Sequence, residues 1–147
     1  MAEKLVFATS PSMDETNEIN RNKIPVVLLH GWGLNSGVWQ PLLELFSTQE
    51  DSPFEFITLD LPGFGDNNDV IVEPYNLSEL CTKIEETITK PAIYLGWSLG
   101  GLVATQMALN YPDKVTGLIT VASTPYFVEE QNDLGDLVWP GIKSNVL

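Results

Sequence analysis

The stretch Ala92-Ile93-Tyr94-Leu95-Gly96-Trp97-Ser98-Leu99-Gly100-Gly101-Leu102-Val103 decides how this chain folds. Ala92 to Leu95 is a short apolar run that predicts a strand. Gly96 to Gly101 predicts a sharp glycine-rich turn, and Leu99 to Leu109 a helix that is apolar on most sides and halted by Pro112. Inside the turn, Gly96-Trp97-Ser98-Leu99-Gly100 is a G-x-S-x-G pattern in the strand–turn–helix context that gives the pattern its meaning. So tight a turn forces the serine backbone into a strained conformation, and glycine two residues before and after relieves the crowding. Ser98 Oγ is then lifted above the sheet. The free N–H groups at the helix start supply positive partial charge for a developing oxyanion. The spacing is not G-x-G-x-x-G, which excludes a dinucleotide fingerprint.

Outward from this turn the alternation of strand and helix repeats. Toward the N-terminus, Glu3 to Ala8 predicts a short edge strand and Ser10 to Lys23 a mobile polar loop. Val26-Val27-Leu28-Leu29 is a continuous apolar run, the pattern of a strand buried on both faces. Gly31, Gly33 and Gly37 break it into a loop. Val38, Trp39, Leu42, Leu43 and Phe46 follow at helical spacing, with Pro41 tolerable in the first turn. Phe54 to Leu61 predicts the next strand, ended by Pro62-Gly63-Phe64-Gly65, and Asp66 to Pro74 a polar loop. Leu77, Leu80, Cys81, Ile84 and Ile88 mark one face of an amphipathic helix.

Toward the C-terminus, Val115 to Ala122 predicts another buried strand. From Ser123 the pattern fades into an acidic loop, then Trp139-Pro140-Gly141-Ile142-Lys143. Strands alternating with helices imply parallel βαβ units and an α/β fold. The chain divides into an N-terminal strand and polar loop (1–24) and an α/β region (25–147).

Its 147 residues suffice for one domain. Twenty acids against seven bases give a formal charge of −13. With no Lys/Arg cluster to neutralise phosphates, a nucleic-acid groove is excluded, and an anionic membrane surface would repel the chain. No window approaches the apolar length of a membrane span, and the first ten residues show no secretory signal. Cys81 stands alone, so no internal disulfide forms, and a cytoplasmic location is expected. One histidine and one cysteine leave no structural zinc set.

The second functional signal is His30-Gly31-Trp32-Gly33, directly after a buried strand. A glycine-rich loop can bring the Trp32 N–H close to a bound carbonyl, and Leu99, the residue after the nucleophile, supplies a second N–H. Two donors on one oxygen make an oxyanion hole. His30 lies on the oxygen's side of that carbonyl, whereas a base must reach Ser98 from the leaving-group side. It reads as a structural histidine that fixes the loop by hydrogen bonding. Asp60 sits at a strand end, where catalytic acids occur in open α/β sheets, but with the following residues it reads as shaping the turn. Cys81 reads as core. Asp66, Asp69 and Glu73 share a loop with Asn67 and Asn68, but the D-x-[DN]-x-[DN]-G order of a calcium loop is missing, so this reads as a solvated loop.

Together these residues resemble the α/β-hydrolase superfamily and, within it, the pimeloyl-[acyl-carrier protein] methyl ester esterases of biotin synthesis. The resembling stretches are VVLLHGWGLNSGVW (Val26–Trp39), LDLPGFG (Leu59–Gly65), YLGWSLGGLVATQMAL (Tyr94–Leu109), LITVASTP (Leu118–Pro125) and WPGIK (Trp139–Lys143). Tryptophan in both HGWG and GWSLGG, followed by WPGIK, is the most specific part. The resemblance implies an α/β-hydrolase fold, a mostly parallel sheet with helices on both faces. It implies Ser98 as nucleophile, with Trp32 and Leu99 forming the oxyanion hole and contacting the substrate.

The reaction implied is serine carboxylester hydrolysis without metal or organic cofactor. The implied substrate is the methyl ester of pimeloyl-acyl carrier protein, with no nucleic-acid or membrane partner and a monomer when complete. The family's remaining triad members follow in the order Asp, His on later loops, and neither has a position here. The resemblance covers somewhat more than the N-terminal half of such an enzyme, truncated before the lid and the last strands, so this chain alone is expected to be inactive. Asp66-Asn67-Asn68 departs from the family, where a basic residue and a serine often follow GFG. Two alternatives stand: another α/β-hydrolase, such as a general esterase or lactonase, or a catalytically inactive fragment with a binding role only.

Overall fold

The computed structural model describes residues 4–10, 23–49 and 51–125, with the backbone of 130–131 and 137–138. The elements follow in the order β1 (Phe7–Ser10), β2 (Ile24–Leu29), α1 (Gln40–Ser47), β3 (Phe54–Leu59), α2 (Leu77–Thr87), β4 (Ala92–Trp97), α3 (Leu99–Asn110) and β5 (Val115–Val121). The sheet has five strands in the order β1-β3-β2-β4-β5. β3, β2, β4 and β5 are parallel, and β1 runs antiparallel along β3. Two short strands, β6 (Glu130–Gln131) and β7 (Leu137–Val138), pair antiparallel where the sequence predicts only an acidic loop. Two-residue strands are too short to show a period.

Side chains alternate between the two faces of the sheet. Val27, Leu29, Ile57, Leu59 and Tyr94 pack with Leu80, Cys81 and Ile84 of α2 and with Val103, Ala104 and Met107 of α3. Val26, Leu28 and Phe56 pack on the opposite face with Trp39 and, from α1, Leu42, Leu43 and Phe46. β2 thus has buried residues on both faces, as its unbroken apolar run predicts. Each such side chain contributes about 1.5–3 kcal/mol on burial, so the core is centred on β2. Local signals start the helices. Asn35 accepts the Gly37 N–H ahead of a 3-10 turn that leads into α1, Pro41 stands in the first turn of α1, and Asn76 caps α2 by accepting the Glu79 N–H.

Three expectations are corrected. The N-terminal strand lies at Phe7–Ser10, later than Glu3–Ala8, where its register against β3 pairs Phe7 with Leu59. β4 continues two residues past Leu95, because Gly96 and Trp97 keep the ladder with Thr120 and Val121. β5 is not buried: Leu118, Ile119 and Val121 are each more than two-fifths exposed. It is the last strand in the sheet order, and among the described residues no strand pairs with its outer edge. An apolar groove of about 260 Å³ lies over this side, lined by Leu42, Phe46, Phe56, Ile93, Leu95 and Ile119 among others. Most of Ser10–Lys23 and all of Trp139–Lys143 lie outside the described residues. Among the described residues, no helix is long and apolar enough to cross a membrane.

Candidate active site

β2 passes the chain to α1 on one face of the sheet, and β4 passes it to α3 on the other. Where adjacent parallel strands send their connections to opposite faces, a crevice opens at their C-terminal ends. The loop after β2 and the turn at Ser98 meet there.

Ser98 stands alone between β4 and α3 with φ 53° and ψ −115°. For a residue other than glycine this backbone costs roughly 1–3 kcal/mol and persists only when its surroundings over-determine it. They do so here. The Ser98 N–H donates to the Val121 carbonyl at 2.9 Å. The Ser98 carbonyl accepts the Gly101 N–H at 3.0 Å, the Leu102 N–H at 3.3 Å and the Ser123 hydroxyl at 2.7 Å. The flanking glycines permit the packing. A Cβ on Gly96 would lie 2.1 Å from the Gly100 carbonyl oxygen, and one on Gly100 would lie 2.2 Å from the Leu29 carbonyl oxygen. The start of α3 is therefore set backbone to backbone on the end of β2. Leu99 opens α3, so its N–H has no acceptor within the helix.

The His30-Gly31-Trp32-Gly33 loop lies directly against this turn, since a Cβ on Gly31 would be 3.4 Å from Ser98 Cβ. His30 is fully buried. Its Nε2 accepts the Leu61 N–H at 2.9 Å, which leaves Nδ1 protonated and donating to the Gly31 carbonyl at 2.7 Å. Burial lowers its pKa below 6.5, against the opposing pull of the Gly31 carbonyl and the Asp60 charge. The ring is neutral, and both nitrogens are engaged in bracing the two loops.

Asp60 is buried and accepts the Ser36 N–H on Oδ1 and the Asp66 N–H at 2.8 Å on Oδ2. Both carboxylate oxygens thus bind loop backbone. Cys81 is buried in the α2–α3 layer, and burial pushes its thiol up to about 12. Asp66, Asp69 and Glu73 are exposed, and among the described residues no cluster of His, Cys, Asp or Glu could hold a metal ion.

A strained serine between a parallel strand and a helix, against a glycine loop from the neighbouring strand, coincides with a match of residues 24–147 to the alpha/beta hydrolase fold. The chain belongs to the alpha/beta hydrolase family.

Among curated alpha/beta hydrolases, it is 46% identical over 125 residues to the pimeloyl-[acyl-carrier protein] methyl ester esterase of Edwardsiella ictaluri, covering 85% of this chain and 44% of that protein. It is 44% identical over 121 residues to the protein of the same name from Pseudoalteromonas atlantica, covering 82% and 43%. The chain therefore spans less than half the length of these relatives, a smaller share than its motifs suggest. A hydrolase from Pseudomonas aeruginosa has the same fold, with a TM-score of 0.70 at 22% identity over 87% of this chain and 46% of that one.

Three residues of the site escape the sequence reading. Ser123 holds the Ser98 carbonyl. Asn67, inside what reads as a solvated loop, is fully buried. Its amide donates to the carbonyls of Val6 and Asp60 and accepts the Val6 N–H, which ties the N-terminal segment to the turn after β3. Tyr75 donates its hydroxyl to the Pro62 carbonyl at 3.0 Å. A buried Asn between polar neighbours carries no periodic signal, because its partners are backbone groups, those of Val6 far away in the chain.

Proposed function

We propose that these residues form the nucleophile and oxyanion part of a serine carboxylester hydrolase. Ser98 attacks the ester carbonyl, the Trp32 and Leu99 amides hold the oxyanion, and water releases the acyl-enzyme. The observation that carries this reading is the strained Ser98 backbone, held by hydrogen bonds from both sides at the start of α3. His30 does not serve as base, because both its nitrogens are used. The imidazole that takes the serine proton therefore comes from beyond these 147 residues, with a carboxylate to orient it. No metal or organic cofactor enters this chemistry.

For the whole protein we propose cleavage of the methyl ester of pimeloyl-acyl carrier protein, as a cytoplasmic monomer. The names and identities of the relatives support the substrate; the single cysteine, Cys81, is the basis for the cytoplasmic location. One observation favours a second reading, a general esterase acting on esters that are not carrier-bound. The chain carries a formal charge of −13, and Lys83, Lys90 and Lys114 are paired with Glu86, Glu55 and Glu85. An acidic carrier would need basic contacts from elsewhere.

Fluorophosphonate labelling of the natural polypeptide tests the assignment. Label is expected on Ser98, lost in Ser98→Ala and kept in Cys81→Ala. Label that survives Ser98→Ala overturns it.

A further inference from the structure

Trp32 presents an indole that is 67% exposed at the mouth of the crevice, one residue beyond the glycine that lies against Ser98. Exposed as it is, it is held in place. Phe64 meets it edge to face, with ring centroids 5.2 Å apart at 75°. Tyr75 meets it in the same way at 6.2 Å and 86°. Phe64 comes from the turn after β3 and also packs on the His30 ring. Tyr75 comes from a third segment, next to the Asn76 cap of α2, and its hydroxyl is bonded to Pro62 in the turn that carries Phe64. Tyr75 thus joins the loop before α2 to the turn after β3 and to the Trp32 ring.

Aromatic edge contacts are directional, so two of them on one indole select its orientation among the available rotamers. An exposed indole held on its inner side offers its free surface to an apolar chain lying along the crevice.

We propose that Tyr75 is a positioning residue that fixes the Trp32 indole as an apolar wall for the acyl chain, favouring esters with an extended apolar acyl group over acetate-sized ones. It touches no reacting atom and acts through Trp32 and Pro62. The substrate part rests on the reading of Ser98 as nucleophile; the positioning part does not.

The test uses the full chain and the Trp32 component of its fluorescence, isolated by difference from Trp32→Phe. Tyr75→Ala is expected to raise acrylamide quenching of that component. Tyr75→Phe, which keeps the ring and loses the bond to Pro62, should raise it less. Ile71→Ala, an exposed position in the same loop, should leave it unchanged. Methyl octanoate and methyl acetate are the ligand probes, followed by the same signal. Loss of one edge-to-face contact corresponds to roughly a two- to tenfold weakening of methyl octanoate binding in Tyr75→Ala, with methyl acetate unaffected.

Unchanged quenching in Tyr75→Ala overturns the positioning role. Raised quenching with equal weakening of both esters, or with no ester binding in any variant, overturns the specificity role. Failure of Ser98 to take a fluorophosphonate in the natural polypeptide, with the quenching results as expected, overturns the nucleophile reading and the substrate part that rests on it, and leaves the positioning role standing.

Discussion

Replacing Gly100 with alanine probes the contact that holds the serine turn in place. The added methyl would lie 2.2 Å from the Leu29 carbonyl oxygen, and 2.6 Å from both the Leu29 carbonyl carbon and the His30 carbonyl oxygen. Comfortable non-bonded contacts begin near 3.5 Å, so roughly 1 Å of room is missing. Every atom in the way is backbone, so no side chain can swing aside, and α3 or the end of β2 must shift. Overpacking of this kind costs typically 1–3 kcal/mol, and the rigid partners place this case near about 3 kcal/mol. The better helix propensity of alanine returns at most about 1 kcal/mol, leaving a net loss of about 2 kcal/mol. That is roughly a thirtyfold fall in the folding equilibrium constant. With a slope of about 2 kcal/mol per molar urea, the unfolding midpoint should drop by about 1 M. Gly37→Ala is the comparison. Its new methyl meets only the end of the Asn35 side chain, at 2.9 Å, which can yield for no more than the worth of a cap, about 1 kcal/mol. A Gly100→Ala midpoint indistinguishable from that of the unsubstituted chain would refute the packing of α3 on β2 and, with it, the account of how Ser98 is held.

Burial holds the His30 pKa below 6.5, so below that pH the unfolded chain binds a proton that the folded chain does not. This stability is fully present above about pH 6.5 and is lost as pH falls toward the folded pKa. Urea midpoints measured across that range should show the decline and lose it in His30→Gln; an equally steep decline in that variant sinks the idea. Cys81 is fully buried with its thiol pushed up to about 12, so iodoacetamide should modify it only as fast as the chain unfolds. Modification of the native chain at the rate of a free thiol contradicts the placement.

What the sequence shows and what it hides differ by the range of the interactions. The serine turn is legible because its constraints are local: two glycines, a preceding apolar run and a following helix lie within a few residues. The partner that makes Gly100 necessary, the Leu29 carbonyl, belongs to another strand, yet its demand appears as a missing side chain within the motif. β5 misleads because Leu118-Ile119-Thr120-Val121 has the composition of a central strand. Composition reports how apolar a strand is, while exposure depends on what lies beside it, and among the described residues β5 is the last strand of the sheet. Asn67 is hidden for the opposite reason: two hydrogen bonds to the distant backbone of Val6 and one to the Asp60 carbonyl make a buried anchor of a residue whose neighbours Asp66, Asn68 and Asp69 are exposed.

His30 joins both lessons. Its place in the loop argues from geometry against a role as base, and the hydrogen bonds supply the physical reason. A general base must have a ring nitrogen free to accept the serine proton and must tolerate the charge that follows. His30 has no free nitrogen, and burial disfavours its charged form. The features that unfit it for proton transfer make it a rigid strut between the loop carrying Trp32 and the turn carrying Phe64. On the reading of Ser98 as nucleophile, this α/β unit presents the hydroxyl and the oxyanion donors on a fixed frame, and proton transfer falls to a separate imidazole.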